Sequence, residues 1–434
     1  MLNNWYIYTT LQYDQKHEDL WNMNYRLDWL GGLNGNAQHD LGWLPSMRET
    51  LLTAFDDGNS DTQHKTERKY SAELQLMKTT ESSFFSVELP IEYVRERMSF
   101  NDYSEIDTLA HRHYVNVNPS ISFYRWKIKN GLRHIDYNLR INRPDFGSLM
   151  PGDETTNPLV TNISNPDLKP HIDHNFGIGF TFTNDSIKRY IDLSANATLV
   201  QQAWGTRTLY DPTSGRYTYT VDNINGNWLS SLTASYQRPL DRKKHLTLTN
   251  QAHIDYQHSV DFPIEYATSS SAASMSLSKS TVHNWTFSDH LKLEYQLGDL
   301  TASISGTVKH RLADSNRQDF QRIRAWDYDY GTALTYTIPW MKVTLATDLR
   351  MYSRRGYYSD MMNDDHLVWN AQLSRSLLKD KLTLKLTAFD LLHQLSDTQY
   401  SVNAQGRTET WQNCINRYLM FTVAYKFTRK PKSE

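Results

Sequence analysis

Tyr418-Leu419-Met420-Phe421-Thr422-Val423-Ala424-Tyr425-Lys426-Phe427 is the stretch from which the fold is read. Its odd-numbered residues, Leu419, Phe421, Val423, Tyr425 and Phe427, are all large and apolar. The even-numbered ones, Tyr418, Met420, Thr422, Ala424 and Lys426, are smaller or more polar. Successive side chains on a strand point to opposite faces, so the run has one greasy face and one mixed face. An aromatic closes it almost at the end of the chain.

Upstream the same two-faced design repeats. Phe85, Val87, Leu89, Ile91 and Tyr93 alternate with Ser86, Glu88, Pro90 and Glu92, and Ile135, Tyr137, Leu139 and Ile141 alternate with Asp136, Asn138 and Arg140. There are roughly seventeen such runs of about 9–15 residues, against the roughly 9–11 that cross a bilayer at a tilt. At the start of the chain the pattern predicts one run at Trp5–Tyr13, a polar turn at Asp14–Asp19 and a second run at Trp21–Trp29. Connections alternate in length. Short ones, such as Gly298-Asp299, Pro339-Trp340 and Lys379-Asp380-Lys381, are separated by long ones near 31–63, 143–170, 205–217, 259–280, 313–320, 355–365 and 391–414. Short turns at one end and long loops at the other are the arrangement of an outer-membrane barrel. A soluble sandwich lacks that strict alternation.

Composition agrees. No window approaches eighteen apolar residues, so no transmembrane helix is expected. Only 39% of residues are hydrophobic and the mean hydropathy is −0.66, yet the chain has 27 Tyr and 12 Trp. A barrel fits this combination, because only every second residue faces lipid while interfaces favour aromatics. A net charge of −2 gives no reason to expect a nucleic-acid partner. The single cysteine, Cys414, forms no internal disulfide, so folding does not call on an oxidising compartment. Met1-Leu2-Asn3-Asn4-Trp5 runs straight into a strand pattern without a basic and apolar leader.

Two segments carry a family resemblance. Asn142-Arg143-Pro144-Asp145-Phe146 through Asn165-Pro166-Asp167-Leu168-Lys169-Pro170 resembles a loop of TonB-dependent receptor-like outer-membrane barrels, and Asn416-Arg417-Tyr418 through Phe427 is similar to their closing strand. The resemblance implies an integral protein of the outer membrane of a Gram-negative-type bacterium. It implies an all-β, antiparallel up-and-down barrel around an N-terminal plug, with assembly through the C-terminal strand and energy from TonB. Neither a plug nor a TonB box is recognisable here. Counting back from a last strand that runs inward puts Met1 in an extracellular loop and gives an odd number of strands. The expectation is therefore one barrel domain over residues 1–434, an incomplete part (about 17 strands) of a 22-stranded barrel, with signal peptide, plug and first strands missing.

Chemistry-bearing clusters are few. His171 and Asp173 share a strand face within His171-Ile172-Asp173-His174, and His111-Arg112-His113 is the other compact group; neither has a second ligand pair at structural-zinc spacing. Both read more simply as polar lumen or strand-end positions. The NPDLKP segment reads as turn chemistry, its prolines fixing φ and Asn165 and Asp167 bonding to local backbone. Carboxylates are scattered, and no nucleophile elbow, phosphate loop or zinc-protease motif occurs. No catalytic, cofactor or metal residue is assigned, and no cofactor is expected. Three functions stay open: a TonB-dependent receptor barrel taking up a scarce nutrient such as a metal chelate, glycan or peptide; a plugless passive channel or structural barrel; and a barrel hydrolase with a loop-borne site. The first is the leading reading, so the protein is not expected to be an enzyme. Its expected partners are outer-membrane lipids, the barrel-assembly machinery, a small-molecule or oligomer ligand and, given an upstream plug, TonB.

Overall fold

A computed structural model describes residues 4–26, 30, 47–101, 103, 107–128, 131–149, 153–157, 159–267, 278–317, 320–357, 360–395, 398–402, 407–412 and 415–427. Cys414, Met1 and Trp29 lie outside the described residues, as do the glycines of the 31–36 segment. The strands are β1 (Asn4–Asn22), β2 (Asp61–Thr79), β3 (Ser83–Asn101), β4 (Asp107–Val117), β5 (Ser120–Ile128) and β6 (Gly131–Asn142). Then follow β7 (Asp153–Asn157), β8 (Val160–Ile163), β9 (His171–Asn184), β10 (Arg189–Gln201), β11 (Ala203–Asp211) and β12 (Arg216–Ile224). The third group is β13 (Trp228–Pro239), β14 (Leu246–Asp261), β15 (Ile264–Tyr266), β16 (Ser280–Leu297), β17 (Leu300–Ser315) and β18 (Ile323–Ile338). The chain ends with β19 (Val343–Arg355), β20 (Asp365–Leu377), β21 (Leu382–Phe389), β22 (Thr398–Val402), β23 (Arg407–Trp411) and β24 (Tyr418–Tyr425).

Seventeen of these strands form one antiparallel sheet in which chain neighbours pair in turn, the meander that the alternating connections predict. Both β4 and β5 pair with β3, one opposite Ile91–Asn101 and the other opposite Ser83–Glu88. They lie end to end along it, parted at Asn118-Pro119, so seventeen strands make sixteen crossings. Among the described residues, β1 and β24 each have a partner on one side only.

The beginning of the chain differs from expectation. β1 is unbroken and pairs with β2 from Asn4 opposite Thr79 to Asn22 opposite Asp61. The turn expected at Asp14–Asp19 is strand. Nineteen residues span about 60 Å, far more than a bilayer, so the outer part of β1 is wet on both faces and polarity there marks no turn. Its charges are answered across the ladder: Lys69 Nζ lies 3.7 Å from Asp14, and Asp19 lies 2.8 Å from His64. Dividing this strand in two made the run count odd. With it whole, β1 begins at the short-turn end of the wall and not in a long loop.

Register and exposure fix the faces. Trp5, Ile7, Leu11 and Tyr13 stand exposed on one face, as do Ile135, Ile178 and Ile304 further round. Aromatics gather in two bands on that face. Towards the long loops are Tyr13, Tyr70 and Tyr93, then Trp228, Tyr256 and Trp285, then His310 stacked on Trp326 at 4.0 Å between centroids. Towards the short turns are Trp5, Tyr295, Tyr336 and Tyr425. From Trp285 to Tyr295 is ten residues, about 33 Å along a strand and roughly 25 Å along the normal at barrel tilt, the height of an apolar band. Gly298, at φ +55°, makes the tight β16–β17 turn that a side chain would strain.

Little apolar surface is buried inside. Among the described residues, one buried cluster joins Met98 to Phe146, and another joins Ala203, Ile224, Val260 and Phe262. Both sit at the long-loop end. There, three connections expected to be plain loops knit together: β7, β8, β11, β12 and β15 form a five-stranded sheet, with β12–β8 and β11–β15 parallel. β22 pairs with β23 in a separate hairpin.

Candidate functional site

The inner face at the long-loop end carries the chemistry. Below the 143–146 loop, Lys65, Glu96, Arg112, Tyr114 and Asn116 line the inner wall of β2–β4: Lys65 is diagonal to Glu96 and Glu96 is opposite Arg112, while Tyr114 and Asn116 follow Arg112 on the same face of β4. The Glu96 side chain is only 2% exposed. It accepts a hydrogen bond from Arg112 Nε and lies 3.6 Å from Lys65 Nζ. The loop docks on this pair. Arg112 also donates to Pro144 O at 3.1 Å, and Lys65 donates to Asp145 Oδ1 at 2.8 Å. Phe146 packs on Met98 under the Arg112 guanidinium, while Arg143 stacks over Tyr114 and donates to Asn116 Oδ1 at 2.7 Å.

Burial pushes the Asp145 carboxyl up, but the Lys65 ammonium and the Gly147 and Phe146 amides outweigh it and hold the pKa below the ordinary value. Burial is also the main reason that Arg143 sits below its usual value. Sequence reasoning marked this loop for a resemblance; the structure shows a strap bolted to the lumen wall through charged bonds.

NPDLKP behaves as loop chemistry. The Asp167 amide donates to Asn165 Oδ1 at 3.0 Å, closing a local turn. A residue that sequence reasoning did not mark, Asn223 on β12, ties this segment down. Its Oδ1 accepts from the Lys169 amide at 2.7 Å, and its Nδ2 donates to Lys169 O and Gln202 O.

Further round the wall, β16–β20 present a polar inner face with two adjoining cavities of about 330 and 460 Å³ that share Asp327 and Arg354. Arg311 Nε donates to Asp327 Oδ2 at 2.8 Å, and Arg350 bonds to Asp329 and to Ser305 Oγ. Tyr357 comes in from the β19–β20 connection and donates to Asp327 Oδ1 at 2.8 Å. Burial, together with the neighbouring Asp327 charge, pushes its pKa up to about 12. His366 contacts Asp364 Oδ2 at 2.6 Å, while Asp364 Oδ1 is buried with no hydrogen-bond partner among the described residues. Alternating cations, carboxylates and hydroxyls around open volume suit a polar or zwitterionic ligand held by many weak bonds. A sequence signal existed: Asp327-Tyr328-Asp329-Tyr330 puts two carboxylates on one strand face and two tyrosines on the other.

The histidine groups resolve simply. His171 Nε2 lies 2.6 Å from Asp173 Oδ1 on the inner face, where Asn142 also donates to Asp173; His174 points the other way, to the Tyr137 hydroxyl. His111 and His113 face outward while Arg112 faces in. Among the described residues no three metal-ligating side chains converge.

Residues 57–425 match the model of a family described as the outer membrane protein beta-barrel family. The chain belongs to that family. This outer-membrane β-barrel thereby acquires its sides: short turns face the periplasm and long loops the exterior, so the docked strap, the five-stranded sheet and the charged inner wall stand at the extracellular mouth. No curated protein and no solved structure matches the chain.

Proposed function

We propose that this outer-membrane barrel is the wall of a receptor that captures a scarce polar nutrient, a metal chelate, glycan or peptide, at its extracellular mouth for uptake. The supporting observation is the charged inner wall around Asp327, with its adjoining cavities, beneath loops organised into a strap and a sheet. A passive pore has no need of a built ligand surface at the mouth. The likeness of the strap and NPDLKP segments to loops of TonB-dependent receptors also supports the reading. In this reading TonB supplies energy where a plug accompanies the barrel, the closing strand addresses the assembly machinery, and the role is binding rather than catalysis.

Planar-bilayer recording on the natural protein purified from outer membranes tests it. A closed baseline, together with crosslinking to the periplasmic part of TonB, is expected. Steady ohmic conductance overturns the reading in favour of a passive channel.

A further inference from the structure

On the outward face, directly beyond the tyrosine band, stand five cationic or imidazole side chains: Arg68, Arg95, Arg97, His111 and His113, all exposed. Arg68 lies opposite Arg95, Arg95 opposite His113, and Arg97 opposite His111. Like charges directly opposite on a ladder repel. None of the five has a hydrogen bond or ion pair to another described residue. The wall's nearby carboxylates do not answer them. Glu92 and Glu96 point through to the inner face, where Lys69, Lys65 and Arg112 hold them, and outward-facing Asp19 is taken by His64.

Immediately membrane-ward the same strands form an apolar depression of about 550 Å³, lined by Leu11, Tyr13, Tyr70, Ala72, Ile91 and Tyr93. Ala72 makes the hollow, a small residue between Leu11 and Ile91 on the neighbouring strands. Tyr93 to Arg95 is two residues and Tyr93 to Arg97 four, so the guanidinium groups lie roughly 7 and 13 Å further along the strand, at headgroup depth. Arginine forks match phosphate oxygens bidentately, and their alkyl stems can lie along the tyrosines.

We propose that the outward face of β1–β4 holds a phosphate-bearing lipid of the outer leaflet, its acyl chain in the Leu11–Tyr93 depression and its phosphate on Arg68, Arg95 and Arg97. Charge complementarity and the adjoining acyl-sized hollow single out this occupant over a soluble anion, which has no use for the hollow. The site faces lipid and stands apart from the uptake reading.

The test uses the full chain folded into phosphatidylcholine vesicles doped with lipid A, extracted in mild detergent and weighed by native mass spectrometry. Wild type is expected to retain lipid A in preference to phosphatidylcholine. The triple variant Arg68→Gln, Arg95→Gln, Arg97→Gln should retain about tenfold less, the loss of several charge-assisted contacts. Heat-modifiable gel migration shows that each variant is folded. Ala72→Phe, which fills the hollow and leaves every charge in place, should also lose retention. Equal retention by wild type and folded triple variant overturns the proposal, as does equal retention of phosphatidylcholine. Displacement of lipid A by millimolar inorganic phosphate makes it a soluble-phosphate site, and a second copy of the chain bound in place of lipid makes it a protein interface; either result overturns the lipid assignment.

Discussion

Tyr357, from the connection after β19, donates its hydroxyl to Asp327 on the inner face of β18 at 2.8 Å, pinning an extracellular loop to the charged wall. The phenol holds its proton more tightly folded than unfolded, about 12 against 10.0. The stabilisation is therefore complete below about pH 10 and is lost as pH rises through about 12. Ultraviolet phenolate titration should show a late-titrating component that shrinks by one tyrosine in Tyr357→Phe. That variant should cost about 0.5–1.5 kcal/mol, the net worth of one hydrogen bond, because Arg311 still holds Asp327.

Glu96 is the buried charge on which Arg112 and Lys65 depend. Glu96→Gln removes the anion and leaves two cations on an enclosed wall, although Pro144 O and Asp145 remain to them. The expected loss is about 2–4 kcal/mol in urea unfolding followed by heat-modifiable migration. A loss below the error of the measurement contradicts the burial that the structure assigns to this pair.

Asp145 sets the strap's acid limit. Its carboxyl has a lowered pKa in the folded protein, so the stabilisation is present above the ordinary carboxylate range and is lost as pH falls below it. Protease cleavage of the strap on vesicles should rise on acidification, and Asp145→Asn should be readily cleaved already at neutral pH.

Facing is tested on β17. Ile304 is 64% exposed midway between the aromatic bands, and Ser303 points inward. Ile304→Arg should cost roughly 2–4 kcal/mol of barrel stability, while Ser303→Arg should be mild. Equal tolerance at the two positions contradicts the assignment of faces.

Asn223 bonds the Lys169 backbone in both directions and also reaches Gln202. Asn223→Ala should loosen the five-stranded sheet and expose the 143–170 segment to protease on intact cells. Unfolding of the seventeen-stranded wall should hardly move, because that ladder does not pass through Asn223.

The amino-acid order alone was enough for the wall. Period-two runs such as Leu419–Phe427 and Phe85–Tyr93 settle strand and face together, because pleating leaves no other way to put every large apolar residue on one side. Short turns were equally legible, since Gly298-Asp299 permits little but a hairpin. The pattern misled where its physical cause was absent. Beyond the bilayer nothing forces alternation, so the polar strand at Asp14–Asp19 looked like a turn and the mouth strands β8, β11 and β12 looked like loop.

What only the tertiary structure decided is which distant residues meet. Lys65 and Asp145, 80 residues apart, become an ion pair because the strap folds back over β2. Tyr357 finds Asp327 because its loop turns inward rather than outward. Arg68, Arg95 and His113 form one row through ladder register, which no single run contains. Alternation is a local property that each strand carries in its own order of residues. The site depends on loop return and on register between strands, and these are set by pairings between segments far apart in the chain.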